Sequence, residues 1–539
     1  MRLSAGAGIS GSGLGMGWLR LFVLMMLLMA CGSALADVAR GRVFVDANGN
    51  GRRDAGEAGV AGVKLSNGRD VVRTDADGRY RIGLRDGDTL FLIKPPGHDV
   101  PMRGDGLPDV WRHHFPKGSE VLRYGGIARS SARRSDFALL PAAQAPDAEP
   151  RLLVFADPQV RTLEEVEYYR RSIVEPARRH EGIVLGLTLG DVVNDTLDLY
   201  PALNRVTTSL GIPWLHAPGN HDIDSDVPDD AGSLINFRRT FGPDTVAWEL
   251  PGHAFIALDD VIWQPQRSPR YIGGLREDQF VFLENYLSTL ADDTRVVMAL
   301  HIPLFDDPGE TFRHADRARL FELLRRFPRP LILSGHTHAQ QHYFHGPDTG
   351  WHGAEPLHEY NVGASCGGYW SGLPDADGLP DARMEDGTPN GYAVLQLGEK
   401  DISTRYHASR GRDDLRIGLT SPGVLRRGAY PAYSLYANVY GAEPDARVEY
   451  RIGDGPWQPM TRVQEPDPEL LALNLDDMRA QGLRSFDRAV MARPGQHLWS
   501  ARLPTDLDAG EHDIQVRARS RFEGLIEAAT RYRLDEWEP

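Results

Sequence analysis

The sequence predicts a multidomain chain in which a central layered α/β domain is flanked by an N-terminal small β domain and a C-terminal β-sandwich. Three observations carry this expectation. Between residues 151 and 400, short apolar runs alternate with amphipathic helical patterns, the signature of α/β layers. On either side the pattern changes to short alternating strands divided by Gly/Pro, Asn-Gly and Asp-Gly turns. With 539 residues, 41% hydrophobic and 25% charged, the chain is globular and too long for one ordinary core. Its net charge of −15 argues against nucleic acid or an anionic membrane surface as the main partner, since basic patches bind both.

Residues 1–36 read as a secretory signal peptide: Arg2 and Arg20 precede the apolar run Leu21 to Ala30, and Ala34-Leu35-Ala36 offers a cleavage site. The run is shorter than the roughly 20 residues that span a bilayer, so no transmembrane anchor is expected in the mature form. Export to the periplasm or the extracellular space follows. A lipoprotein is the alternative, because Leu28-Met29-Ala30-Cys31 approximates a lipobox. If Cys31 leaves with the signal, Cys366 is the only cysteine of the mature chain and no intrachain disulfide forms.

Residues 37–140 form the β module. Within it, Asp46, Asn48, Asn50, Arg52, Asp54 and Glu57 occupy positions 1, 3, 5, 7, 9 and 12 of a loop with Gly51 at 6, the arrangement that wraps Ca²⁺. The flanks are strands rather than EF-hand helices, and a solvated polar turn is the other reading. The segment resembles B-type repeat modules of bacterial surface proteins, where such a loop binds a structural calcium ion. Residues 141–150 have linker composition.

The central domain, 151–400, contains helical patterns over Thr162–His180 (opened by a Thr162/Glu165 capping box), Leu275–Leu290 and Ala315–Phe327. Five apolar runs end in polar residues: Leu152–Ala156 before Asp157 and Gln159, Val184–Leu189 before Asp191, Ile212–Ala217 before Asn220-His221-Asp222, Val296–Leu300 before His301, and Leu331–Ser334 before His336 and His338. Sites of α/β sheets lie at such strand ends, so the five are expected to converge. The irregular Gly- and Trp-rich stretch from His345 to Asn390 either walls the site or covers an edge strand. From 401 to 539 several short strands indicate the β-sandwich.

The collected donors are two Asp, one Asn, one Gln and three His without cysteine, a set suited to a pair of hard or borderline divalent ions. Asp157-x-Gln159, Gly190-Asp191-x2-Asn194, Gly219-Asn220-His221-Asp222, His301 and Gly335-His336-x-His338 resemble the five ordered motifs of the calcineurin-like metallophosphoesterase family. The three-part layout, with Gly368-Tyr369-Trp370 and the segment Gly387 to Tyr392, resembles a bacterial exported subfamily with N- and C-terminal β domains. The resemblance implies that one metal takes Asp157, Gln159, Asp191 and His338 and the other takes Asp191, Asn220, His301 and His336, with Asp191 as bridge.

Where the first motif commonly ends in His, Gln159 offers a neutral amide oxygen, which favours Mn²⁺, with Fe or Zn as alternatives. No tyrosine stands beside that motif, so the coloured iron site of purple acid phosphatases is not expected. The implied chemistry is hydrolysis of a phosphomonoester or phosphodiester, in a small molecule or phosphoprotein, by attack of a metal-bridging hydroxide. His221 would act as general acid, and Asp222 would orient its ring. Two other classes stay open: an inactive phosphoesterase-fold scaffold of the cell envelope, and a metal-dependent hydrolase of a non-phosphate bond.

Overall fold

The computed structural model describes residues 37–142, 149–305, 312–398, 401–409, 414–430 and 433–536. The signal segment 1–36, with Cys31, and linker residues 143–148 lie outside the described residues.

The centre of the fold is a pair of facing sheets. One runs in the order Trp214–Ala217, Ile183–Leu189, Arg151–Phe155, Gly391–Leu397 and Ile402–Ala408. The other runs Thr245–Leu250, His253–Leu258, Arg295–Ala299, Leu331–Ser334, Leu357–Asn361 and Gln341–His345. The three motif strands of the first sheet pair in parallel, as do the two of the second. Parallel pairing gives the strands of a sheet one direction, so each sheet presents its motif loops at a single end. Leu331–Ser334 and Arg295–Ala299 are buried at every residue, which explains their unbroken apolar runs.

Helices cover the outer faces. The first spans Leu163–Tyr169 and continues as a π-turn to Val174, the next relevant one spans Glu277–Leu287, and another spans His314–Leu324. Half of the expected capping box forms: the Thr162 hydroxyl accepts the Glu165 N–H at 3.2 Å, while the Glu165 carboxylate takes the N–H of Arg161 at 2.6 Å. The segment ahead of the cap already curls back, which brings the Arg161 amide to the carboxylate.

The module is itself two small four-stranded sheets. Its Leu65 and Phe91 belong to the same continuous core as Phe282 and Tyr286 of the central domain. A buried ion pair, Lys64 Nζ to Glu249 Oε1 at 2.6 Å, crosses the seam. Farther along, Tyr124 donates its hydroxyl proton to the Asp195 carbonyl at 2.8 Å. The module therefore touches a motif loop of the central domain.

The C-terminal sandwich packs a four-stranded on a five-stranded sheet around its own core. The expected boundary at 400 cuts through a hairpin, because Ile402–Ala408 pairs along its length with Gly391–Leu397. The sandwich takes up the chain at strand Ile417–Thr420. Its seam with the centre combines polar and aromatic contacts: His497 bridges Asp386 (3.0 Å) and Asn438 (2.6 Å), Arg383 pairs with Glu469 at 2.9 Å, and the Phe522 ring stacks on His342 and His358.

Candidate metal centre

Five of the seven expected ligands sit in the left-handed backbone region: Asp157 (φ 47°), Gln159 (44°), Asp191 (48°), His336 (72°) and His338 (49°). Such conformations cost about 1–3 kcal/mol each in non-glycine residues and persist where surroundings over-determine them. Each strand end turns sharply, aiming its polar side chains at the same point. Glycines make room. A Cβ on Gly219 would stand 2.2 Å from Asp191 Oδ1, one on Gly335 2.7 Å from Asp157 Oδ2, and one on Gly190 2.4 Å from His301 Nδ1.

The structure brings all seven residues together. His301 Nε2 lies 3.0 Å from Asn220 Oδ1, 3.1 Å from His336 Nδ1 and 3.4 Å from Asp191 Oδ1. Gln159 Nε2 is 3.2 Å from Asp191 Oδ2, and His338 Nε2 is 3.6 Å from Asp157 Oδ1. Asp191, His301 and His336 hold ligand atoms within 4.8 Å of one another. The His301 Nδ1–H donates to the Leu189 carbonyl at 2.8 Å, and this leaves the Nε2 lone pair facing two other acceptor oxygens. His338 is held likewise, Nδ1 to the Gly368 carbonyl at 2.9 Å. Acceptors crowded on acceptors, with each second ring nitrogen tied to a carbonyl, suit a cation between them. Burial pushes the His301 pKa down, keeping a ligand lone pair free. Around Asp157, burial alone would raise the carboxyl pKa, but the His338 bond and the neighbouring His338, His301 and His336 charges hold it low.

His221 stands beside this cluster, its backbone N–H on Asp191 Oδ1 at 2.9 Å and its side chain 30% exposed. Its ring is oriented by Asp195, not by Asp222: Nδ1 meets Asp195 Oδ1 at 3.1 Å. The Asp222 carboxylate is fully buried and committed to the backbone N–H groups of Gly219 (2.9 Å) and Val192 (3.0 Å) and to the Tyr200 hydroxyl (3.0 Å). It ties two motif loops together and points away from its neighbour's ring. Burial, then the Asp191 charge, push Asp222 up to about 7. Burial alone would lower His221, but Asp191 and the bonded Asp195 raise it to about 9.

Sequence reasoning assigns no role at the site to three further residues. Asp195 is marked by its place next to Asn194 in the second motif. Asp260 accepts the His301 N–H at 3.0 Å and follows the buried strand His253–Leu258, a sixth apolar run ending in carboxylates. Cys366, fully buried, lies 3.6 Å from Gln159 Oε1 and 3.9 Å from His338 Nδ1, a proximity that no local pattern encodes. The irregular 345–390 stretch walls the site here, since the Cys366 N–H donates to the Asp157 carbonyl (3.2 Å) and Tyr369 stacks edge-on to His338.

Residues 150–340 match the calcineurin-like phosphoesterase family, residues 47–123 match its N-terminal domain and residues 359–524 its C-terminal domain. The chain belongs to the calcineurin-like phosphoesterase family. No curated protein matches the chain. Among solved structures, GAP50, the anchor in the inner membrane complex of Plasmodium, is 14% identical over 49% of this chain and 86% of that one, with TM-score 0.32. Purple acid phosphatase PPD1 from yellow lupin (Lupinus luteus) seeds is 12% identical over 65% of this chain and 67% of that one, with TM-score 0.37.

One cavity of this phosphoesterase lies apart from the seven expected ligands. It encloses about 460 Å³ at the module seam, between Arg69, Arg85, Arg238 and Arg276, and holds none of the seven ligands. The loop Asp46–Glu57 turns its oxygens inward. Asp46 accepts the N–H groups of Gly49 (2.8 Å) and Gly51 (2.6 Å), and Glu57 those of Ala47 (3.0 Å) and Asp54 (2.8 Å). Arg52 contributes its backbone, with its N–H on Asn50 Oδ1 at 2.7 Å, and Asn48 and Asn50 both reach Asp54. Among the described residues no helix is long and apolar enough to cross a membrane.

Proposed function

We propose that this chain is a binuclear-metal phosphoesterase that hydrolyses a phosphomonoester or phosphodiester outside the cytoplasm. The observation that carries the reading is the cluster of oxygens and ring nitrogens around His301 Nε2, which suits cations held between them. Asp157, Gln159, Asp191 and His338 would hold one ion, and Asp191, Asn220, His301 and His336 the other. When bound, such ions neutralise phosphoryl oxygens and supply an activated water. Gln159, an amide, tilts the preference toward Mn²⁺ over Zn²⁺ or Fe.

The protein's own groups do the rest. His221, partly exposed at the rim and raised in pKa, carries the proton for the leaving oxygen. Asp195 holds the ring at Nδ1, which leaves Nε2 for the leaving oxygen, and Asp222 fixes the loop on which His221 sits. The substrate is a phosphorylated small molecule or phosphoprotein. The loop Asp46–Glu57, which lies outside the central domain, would take a structural Ca²⁺. Export rests on the signal pattern of residues 1–36, and N-terminal sequencing of protein secreted by an expressing host tests it.

The decisive experiment is metal loading. Chelation abolishes turnover, Mn²⁺ restores it, and Asp191→Ala binds neither ion tightly. An Asp191→Ala protein retaining two tight ions overturns the assignment. His221→Ala keeps both ions but loses roughly 10²–10⁴-fold in turnover of an alkyl phosphate, and much less with p-nitrophenyl phosphate, whose leaving group departs unprotonated. Metal-loaded protein that turns over no phosphate ester in a screen would point instead to the scaffold reading.

A further inference from the structure

We propose that the C-terminal domain completes a subsite for a flat aromatic leaving group at the rim of the metal centre; this rests on the phosphoesterase reading above. A ladder of side chains leads outward from the metal ligands. The Tyr369 ring lies 6.2 Å from that of His338. Beyond it the Arg161 guanidinium is 5.6 Å from the Tyr369 ring and 4.4 Å from the ring of Phe486, which the C-terminal domain contributes. Arg161 cannot swing away, because Glu165 grips it through Nε and Nη2 at 2.7–3.3 Å.

Behind this ladder is a cavity of about 240 Å³, lined by Tyr168, Trp370, Pro374, Pro380, Arg484 and Phe486. Its walls are tied to the catalytic loops: the Trp370 indole N–H donates to the Pro158 carbonyl at 2.8 Å, inside the first metal motif. The Phe486 carbonyl accepts the Gly372 N–H at 2.9 Å, which fixes the incoming loop against the wall.

Three features select the occupant. The cavity is smaller than the roughly 300–1,000 Å³ that encloses a drug-sized ligand, so it takes a single ring system. Tyr369 and Phe486 are 50% and 55% exposed, so each ring keeps solvent-facing surface beside the site although Arg161 lies over both. Flat rings stack on such faces and on a guanidinium plane. The charges of the lining are largely paired off, Arg161 with Glu165 at 2.7 Å and Arg484 with Asp487 at 2.8 Å, which suits an uncharged ring.

The test uses the metal-loaded full chain and two ligands that cannot be hydrolysed, methylphosphonate and naphthylmethylphosphonate, with affinities measured by calorimetry. The wild type should bind the naphthyl compound about 10-fold more tightly, Phe486→Ala should erase that preference with methylphosphonate affinity kept within about twofold, and Phe486→Trp should restore it. Equal affinities in the wild type, a preference that survives Phe486→Ala, or a Phe486→Ala loss shared equally by both ligands overturns the subsite. Wild-type protein that binds methylphosphonate without preference sinks the subsite alone. Protein that binds neither ligand sinks the phosphoesterase reading and the subsite with it.

Discussion

The two flanking domains are both small β structures, yet they are joined to the catalytic domain by different physics. The N-terminal module shares one apolar core with it and closes the seam with the Lys64–Glu249 pair and Arg238, which donates to the Gly87 carbonyl at 2.6 Å. The C-terminal sandwich keeps a separate core and docks through the Asp386–His497–Asn438 network and the Arg383–Glu469 pair. They also lean on opposite sides of the metal centre. Tyr124 of the module touches the backbone of Asp195, which holds His221, while Phe486 of the sandwich sits on the His338 side through Arg161 and Tyr369. A shared core makes one cooperative unit, and a seam held in part by titratable pairs makes a joint that responds to solution conditions.

The comparison breaks most sharply at the module seam. Glu249→Ala leaves the Lys64 ammonium in a nearly water-free site, a change that costs about 3–5 kcal/mol. Scanning calorimetry should show the joint transition of module and catalytic domain moving down by roughly 10 °C as one peak. A separate early peak for the module would refute the shared core.

The C-terminal seam should instead answer to pH. Burial alone would raise the Asp386 pKa, but the His497 ring and the N–H groups of Thr388 and Gln340 outweigh it and hold the carboxyl low. A depressed folded-state pKa contributes stability that is fully present above the unfolded value near 4 and is lost as pH falls through the folded value. Acidification below about pH 4 should therefore release the C-terminal transition to lower temperature ahead of the rest. In Asp386→Asn that acid-dependent step should shrink and the pH 7 transition should already be lowered, and an unchanged step would place the sensitivity elsewhere.

Two smaller effects sharpen the contrast at the site. Asp195→Asn removes the charge that orients His221 and should lower turnover of an alkyl phosphate by about 10-fold, with a weaker effect on p-nitrophenyl phosphate. Equal losses on both substrates would mean that Asp195 serves the loop rather than the ring. Tyr124→Phe deletes one hydrogen bond, worth about 1 kcal/mol, and should cost a few-fold in the same alkyl-phosphate assay with little change in metal binding. Turnover equal to wild type would confine the module to a stabilising role.

Much of the site was legible because each motif strand is buried on both faces and writes itself as an apolar run, so the polar residues at its end stand out. Asp157, Asp191, His301 and His336 all follow that rule. Asp222 lends its charge to His221 but does not orient the ring, for the opposite reason. Adjacency in sequence suggested contact with His221, but consecutive side chains in a tight turn diverge, and the carboxylate turned inward to the N–H groups of its own and a neighbouring loop. Asp195 acts in its place because its N–H bonds the His221 carbonyl at 3.1 Å, a pairing between loops 26 residues apart that no periodicity announces.

The sequence by itself determined the three-part order, the polar residues at the strand ends and the polar loop Asp46–Glu57, since each depends on local spacing, turn chemistry or the burial of one strand. Only the tertiary structure decided that Ile402–Ala408 belongs to the central sheet, that Cys366 lies against Gln159, and that Phe486, more than 300 residues after Arg161, stacks on its guanidinium. Those are contacts between segments whose local patterns are indifferent to one another. What selects them is the burial of whole faces and the satisfaction of buried polar groups, and both are properties of the assembled chain.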